Sequence, residues 1–186
     1  GQVALQELSF TVHPCADAQY FDAVDDKCRS YPNGTYCSDW PLCRKTAEPD
    51  DDPRNTAPLS CGGAHFCPGD GSRSVVEPGY FAVPADPSNL KKQAQQVCVA
   101  GKYCMGGAAD SVNAGQAVDC LASKFGNHSG MFQVGQCKDC VPGRFSEAGQ
   151  SQCVPCDAGR YQPDPSQVAC LTCAPTEYCP AGTSDS

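Results

Sequence analysis

Residues 140–170 read CVPGRFSEAGQSQCVPCDAGRYQPDPSQVAC, and within them the phrase Cys-x-x-Gly-Arg-aromatic occurs twice, sixteen residues apart. A phrase repeated at a fixed interval is the signature of a repeated structural unit. Its cysteines have two chemistries open to them, metal ligation or disulfide formation, and these belong to different redox compartments.

The metal reading rests on Cys137-Lys-Asp-Cys140 followed by Cys153-Val-Pro-Cys156, a Cys-x2-Cys-x12-Cys-x2-Cys spacing close to that of a zinc ribbon. A third pair, Cys170-Leu-Thr-Cys173, arrives at a similar interval, and a ribbon has no use for it. Ten further cysteines lie outside the three pairs, and His13, His65 and His128 fall at no ligand-like interval from them. No Cys-x-x-Cys here follows a strand and opens a helix, as a thioredoxin-type redox motif would. The expectation is disulfides, with no metal and no cofactor.

Composition points the same way. Leu, Val and Phe together supply 28 of the 186 residues, there is no Ile, and the formal net charge is −8. A chain that thin in large apolar groups cannot bury enough surface to offset chain entropy and would ordinarily stay disordered. Sixteen cysteines change the balance. A crosslink closing a loop of about 15 residues contributes roughly 3 kcal/mol in the chain-entropy model, so crosslinks replace the core. The even count permits full pairing.

Outward from residues 140–170 a second recurring unit appears, Cys-x5-Cys with an aromatic before the second cysteine: CGGAHFC (61–67), CVAGKYC (98–104) and CAPTEYC (173–179), with GTYC ending at Cys37. Glycine in these units supplies the positive φ that a tight return needs, and proline pre-sets φ on the approach. The aromatic is the one large apolar group per unit, available to cover a disulfide or a neighbouring ring. Tyr36, Phe66, Tyr80 (in EPGYF), Tyr103, Phe145, Tyr161 and Tyr178 follow this rule.

The rest of the chain divides around these units. Residues 1–14 alternate apolar and polar, with Leu8, Phe10 and Val12 on one side, and read as a strand-like segment, the end of a preceding domain. Residues 15–43 form a first cysteine-rich module, 44–60 an acidic Pro-rich linker, 61–119 a second module and 120–186 the terminal repeat array. Asp50, Asp51 and Asp52 read as solvated linker, because a calcium loop needs alternating ligands and a bidentate partner downstream.

The stretch CVPGRFSEAGQSQCVPCDAGRYQPDPSQVACLTCAPTEYCPAGT resembles the ephrin-receptor-like cysteine-rich repeat, whose units read Cys-Pro-x-Gly-x-Tyr/Phe, a polar run, then Cys-x-x-Cys. It is also similar to the first half of a tumour necrosis factor receptor cysteine-rich module. The match is good over 137–182, looser over 61–120 and slight before Cys43. Val-Pro after Cys140 and Asp-Ala after Cys156 depart from the family, which usually places Pro first. The resemblance implies a small disulfide-rich fold: an elongated, extracellular array of cysteine-rich repeats with short β-hairpins and loops and little helix. Such arrays occur in receptor ectodomains and in long surface proteins of algae and other protists.

Repetition favours sequential pairing, Cys140 with Cys153 and Cys156 with Cys170, each loop then spanning Gly-Arg-aromatic. A crossed pairing, Cys137 with Cys153 and Cys140 with Cys156, would make a more compact knot. Two sequons, Asn33-Gly-Thr35 and Asn127-His-Ser129, fit the secretory route and mark N-glycan sites. The chain begins without a signal peptide and reads as mature or excerpted from something longer. It has no run of about 18 apolar residues, so no membrane contact is expected within it.

Hydrolase, dinucleotide, zincin and phosphate-loop motifs are absent. Thirteen basic residues against twenty-one acidic would repel a phosphate backbone, which excludes nucleic acid as a partner. The function expected is a non-catalytic structural segment of an extracellular or cell-surface protein. It would be a spacer or a lateral assembly or adhesion surface, such as that of a flagellar-hair-like filament. Its partners are other protein chains or further repeats. The alternative is a ligand-binding receptor ectodomain. The native protein is expected to hold no free thiol and no stoichiometric zinc: alkylation of unreduced, denatured protein adds no mass, and uptake of four or more alkyl groups would refute the disulfide reading.

Overall fold

A computed structural model describes residues 19–22, 27–36, 59–85, 91–107 and 112–185. The strand-like segment 1–14, Asp50 to Asp52 and most of the 44–60 linker lie outside them. Among the described residues there are sixteen short strands, paired as eight two-stranded antiparallel hairpins, and one turn of 3-10 helix, Val134–Gln136. The fold is a small disulfide-rich one of hairpins and loops.

One unit explains the rest. In the Cys140 unit, the cysteine opens a turn through Pro142 and Gly143, and Arg144–Phe145 forms a strand. A loop follows, Val154–Pro155 returns antiparallel, and Cys156 opens the next unit. The same plan pairs Lys102–Tyr103 with Val118–Asp119, Lys124–Phe125 with Lys138–Asp139, and Arg160–Tyr161 with Leu171–Thr172. Upstream it pairs Thr35–Tyr36 with Leu59–Ser60, His65–Phe66 with Ser74–Val75, and the longer Tyr80–Val83 with Ala94–Val97. Units are named here by their opening residue: Tyr31, Cys61, Val76, Cys98, Cys120, Cys140, Cys156 and Cys173. Before them, Gln19–Asp22 pairs with Lys27–Ser30.

The turn decides the local shape. Its third residue is Gly34, Gly79, Gly101, Gly143 or Gly159, with φ between +78° and +88°. Type II turns need that sign of φ at this position. In the Cys120 unit, Ser123 occupies the same place with φ +76°, and the turn still closes by Lys124 N–H donating to the Leu121 carbonyl at 3.1 Å. The sequence CLASKF is therefore a full unit, although glycine is missing from it.

Consecutive units are joined by a repeated set of backbone bonds. The opening residue of each unit donates its N–H to the turn residue's carbonyl in the unit before: Cys61 to Gly34, Val76 to Ala64, Cys98 to Gly79, Cys120 to Gly101, Cys140 to Ser123, Cys156 to Gly143 and Cys173 to Gly159, at 2.8–3.1 Å. The residue after each aromatic donates to a loop carbonyl of the following unit: Cys67 to Lys92, Ala82 to Gly115, Cys104 to Met131, Gly126 to Gln150, Ser146 to Gln167 and Gln162 to Thr183. A loop residue also donates backward to an opening residue: Gly130 to Cys98, Gly149 to Cys120, Ser166 to Cys140 and Gly182 to Cys156. Three of those four donors are glycines at positive φ, and Ser166, at φ +56°, is the second non-glycine in that region.

The interior is correspondingly thin. Cys61, Cys67, Cys98, Cys104, Cys120 and Cys156 are fully buried, with Met131 and Val76 the largest apolar side chains enclosed. Cys120, Met131 and Cys137 form a cluster against which Tyr103 of the preceding unit packs. The Tyr103 ring thus covers the Cys120–Cys137 disulfide of the next unit. The alignment of hairpins also shifts one aromatic: Phe81 pairs with Gln96 as Tyr103 pairs with Val118 in its own hairpin, so Phe81, not Tyr80, holds the unit position.

Ser123→Gly is expected to stabilise the protein by about 0.5–1 kcal/mol, because an L side chain in the left-handed region costs roughly 1 kcal/mol or more. Gly101→Ala is expected to destabilise it by about 2 kcal/mol or more, since a Cβ there meets the Gly149 carbonyl as well as the unfavourable φ. Urea midpoints with disulfides intact measure both. An unchanged midpoint for the first, or a neutral second, would refute the equivalence of the two turns.

Candidate functional site

The chemistry of this molecule is concentrated in its crosslinks. Six disulfides join described cysteines: Cys61–Cys67, Cys98–Cys104, Cys120–Cys137, Cys140–Cys153, Cys156–Cys170 and Cys173–Cys179, with Cα separations of 5.7–6.5 Å. Cys28 is also disulfide-bonded. No described cysteine is free. The four sulfurs with ribbon-like spacing are each committed to a disulfide, and no described group of His, Cys, Asp and Glu could hold a metal ion. In the structure Cys137 bonds backward to Cys120, which leaves Cys140 and Cys156 to close their own loops.

Two closures recur, and the hairpin explains both. In the Cys61, Cys98 and Cys173 units the partner is the residue just after the aromatic, six positions on. In the Cys120, Cys140 and Cys156 units it is the residue just before the returning strand. With Phe145 opposite Val154, continuing that register sets Ser146 across from Cys153, so an opening cysteine reaches either side of the same hairpin. The Val76 unit has neither: Val76 and, six residues on, Ala82 are each 1% exposed, an apolar pair at the two positions that a disulfide joins in the Cys61, Cys98 and Cys173 units. That unit carries no cysteine signal; its hairpin, its backbone bonds and the burial of Val76 and Ala82 reveal it.

Polar contacts decorate the ladder. Lys102 pairs with Asp119 and Lys124 with Asp139, at matching cross-strand positions of consecutive units. Such half-exposed pairs add little stability. The hydrogen bond from Lys124, then one from the Ser166 side chain, holds the Asp139 carboxyl below the usual aspartate range. Arg73 places its guanidinium carbon 4.7 Å from the centre of the Tyr36 ring, donates from Nε to the Cys61 carbonyl, and lies 3.1 Å from His65 Nδ1. An arginine can only donate, so that nitrogen accepts and the imidazole is neutral. Burial, then the Arg73 charge, holds the His65 pKa down.

The two sequon asparagines lie far apart in the chain and in different settings. Asn33 is exposed in its turn, but Thr35 is buried and its hydroxyl donates to the Pro32 carbonyl at 2.6 Å. Asn127, His128 and Ser129 are all exposed in the loop after Phe125.

Residues 143–186 match the family described as "Tyrosine-protein kinase ephrin type A/B receptor-like". Among curated proteins the chain is similar to zebrafish (Danio rerio) "Signal peptide, CUB and EGF-like domain-containing protein 2", 39% identical over 46 residues, which is 24% of this chain and 5% of the relative. The chain thus spans about a twentieth of the length of the curated relative it matches.

Trypsin tests the pairing. Cleavage after Lys102, Lys124, Lys138, Arg144 and Arg160 isolates Cys137 in peptide 125–138. In the unreduced digest that peptide is expected to remain joined to peptide 103–124 through Cys120. A direct link from 125–138 to 145–160 would establish the crossed pairing instead.

Proposed function

We propose that this chain is a non-catalytic structural segment of an extracellular or cell-surface protein, a disulfide-stabilised spacer whose sides serve lateral assembly or adhesion. The observation that carries this reading is the succession of similar units, joined each to the next by the same backbone hydrogen bonds, with six of them closed by a disulfide of their own. Disulfides on this scale persist in oxidising surroundings, and the cysteine-rich families that the chain resembles support the same compartment. No helix among the described residues is long and apolar enough to cross a membrane.

The lateral role is supported by a repeated surface position. The residue after the opening cysteine is Val99, Leu121 and Val141 in three consecutive units, 46%, 64% and 60% exposed. Aliphatic groups recurring at one place on successive units make a narrow apolar strip suited to protein contact.

The secretory part of this reading is tested by expression behind a secretion leader in eukaryotic cells, followed by glycosidase treatment in heavy-oxygen water. Both asparagines are expected to be marked. Asn127 should be modified nearly completely, and Asn33 only in the fraction glycosylated before Thr35 is buried. Slowing oxidation with dithiothreitol during synthesis should therefore raise occupancy at Asn33 and leave Asn127 unchanged. Finding both asparagines unmodified in secreted protein would overturn the assignment to the secretory route.

A further inference from the structure

The Cys173 unit differs from the others in what lies on its far side. Tyr178 is 87% exposed, whereas Tyr36, Phe66, Phe81, Tyr103, Phe125, Phe145 and Tyr161 are each partly buried. Among the described residues, the Thr176 carbonyl accepts no backbone bond, although the corresponding carbonyls of Gly34, Ala64, Gly79, Gly101, Ser123, Gly143 and Gly159 each accept one from the next opening residue. The Cys173 carbonyl lacks the glycine or serine N–H that Cys98, Cys120, Cys140 and Cys156 receive from described residues. The Cys179 N–H, in a residue only 2% exposed, has no backbone acceptor among the described residues, while its counterparts from Cys67 to Gln162 all do. One unit earlier, a Cβ on Gly159 would meet nothing within 4 Å, although Cβ atoms on Gly79, Gly101 and Gly143 would strike the carbonyls of Gly130, Gly149 and Gly182, two units on in each case.

These open positions are the two halves of one pattern, and they specify what fills them. We infer that the face formed by Gly159, Cys173, Thr176, Tyr178 and Cys179 is an interaction surface that takes one further disulfide-closed unit of this class, docked head to tail. The interface is continuous with the one already repeated along the molecule. The incoming unit supplies an opening-residue N–H for the Thr176 carbonyl and a loop carbonyl for the Cys179 N–H. It also supplies a loop glycine whose N–H meets the Cys173 carbonyl and whose own carbonyl covers Gly159, and a disulfide beneath the Tyr178 ring, as Cys120–Cys137 lies beneath Tyr103. Repeat arrays of this kind gain much of their stability from nearest-neighbour interfaces, and the open positions repeat the acceptors and donors of those interfaces. The inference rests on the spacer reading and deepens it by naming the axial partner. Its failure would leave the secreted, disulfide-stabilised assignment standing, because glycosylation and pairing are read separately.

The probe is this chain extended directly after Ser186 by a second copy of residues 112–139. The Cys98 and Cys173 units share their closure and the glycine three residues beyond it (Gly107, Gly182), so the copy begins where the loop after Cys104 continues. In the extended chain the Cys179 amide is expected to exchange with deuterium at least tenfold more slowly, and Tyr178 is expected to lose most of its reactivity toward tetranitromethane. Substituting Tyr178→Ala in the extended chain should restore fast exchange at Cys179 by at least threefold. If the added unit closes its own disulfide while Tyr178 and the Cys179 amide behave as in the parent chain, the inference is wrong. It is equally wrong if the added residues fail to close that disulfide, since the same residues close it next to the Cys98 unit. Protection that appears in the unextended chain and grows with its concentration would mean that a second copy covers the face, and would overturn the occupant named here.

Discussion

The structure depends on a backbone hydrogen bond repeated seven times, from the N–H of each opening residue to the carbonyl of the turn before it. In six of the seven the residue that bears this carbonyl sits at positive φ, and Ala64 accepts the same bond without it. Neighbouring units therefore share bonds between loops that would otherwise leave polar groups unpaired. The disulfides then fix each hairpin against its own opening residue, so that the inter-unit bonds join rigid pieces.

Much of this is legible in the amino-acid sequence where chemistry and position coincide. Cys-x-x-Gly-Arg-aromatic at 140 and 156 and Cys-x5-Cys at 61, 98 and 173 point to the disulfide class, the hairpins, the turn glycines and the resemblance to ephrin-receptor-like repeats. The less visible units are those that keep the geometry and change the letters. Ser123 accepts the left-handed backbone in place of glycine, and Phe125 therefore escapes any pattern that requires glycine before the aromatic. Val76 and Ala82 replace two cysteines with two methyl-bearing groups of the right bulk, and Phe81 is hidden beside the adjacent Tyr80. In each case the fold reads a property, the sign of φ or a filled volume, that several residue types satisfy.

The two ways of closing a unit follow from the same geometry. A hairpin presents the residue after its aromatic and the residue before its return strand side by side, so a cysteine at either place closes the unit, and in the Val76 unit neither place holds one. Loops closed at six residues are short, as at Cys98, while loops closed at thirteen to seventeen carry the inserted polar stretches, including the exposed Asn127 sequon. Variation in loop length is thereby separated from the stacking of units, and surface chemistry can change without disturbing the ladder.

The sequential arrangement of the crosslinks also fixes how the chain behaves under tension. Between Cys120 and Cys179 the covalent path can pass through four disulfides, with only three residue steps between one loop and the next: Cys137 to Cys140, Cys153 to Cys156 and Cys170 to Cys173. Without crosslinks that stretch could be drawn out to roughly 200 Å at about 3.4 Å per residue; with them the limit falls to about 55 Å. A pulled molecule therefore has far less length to release over this region than an uncrosslinked chain would. It transmits force along sulfur bridges and short tethers and shields the loops, which makes it suited to holding a distance under load and unsuited to absorbing one.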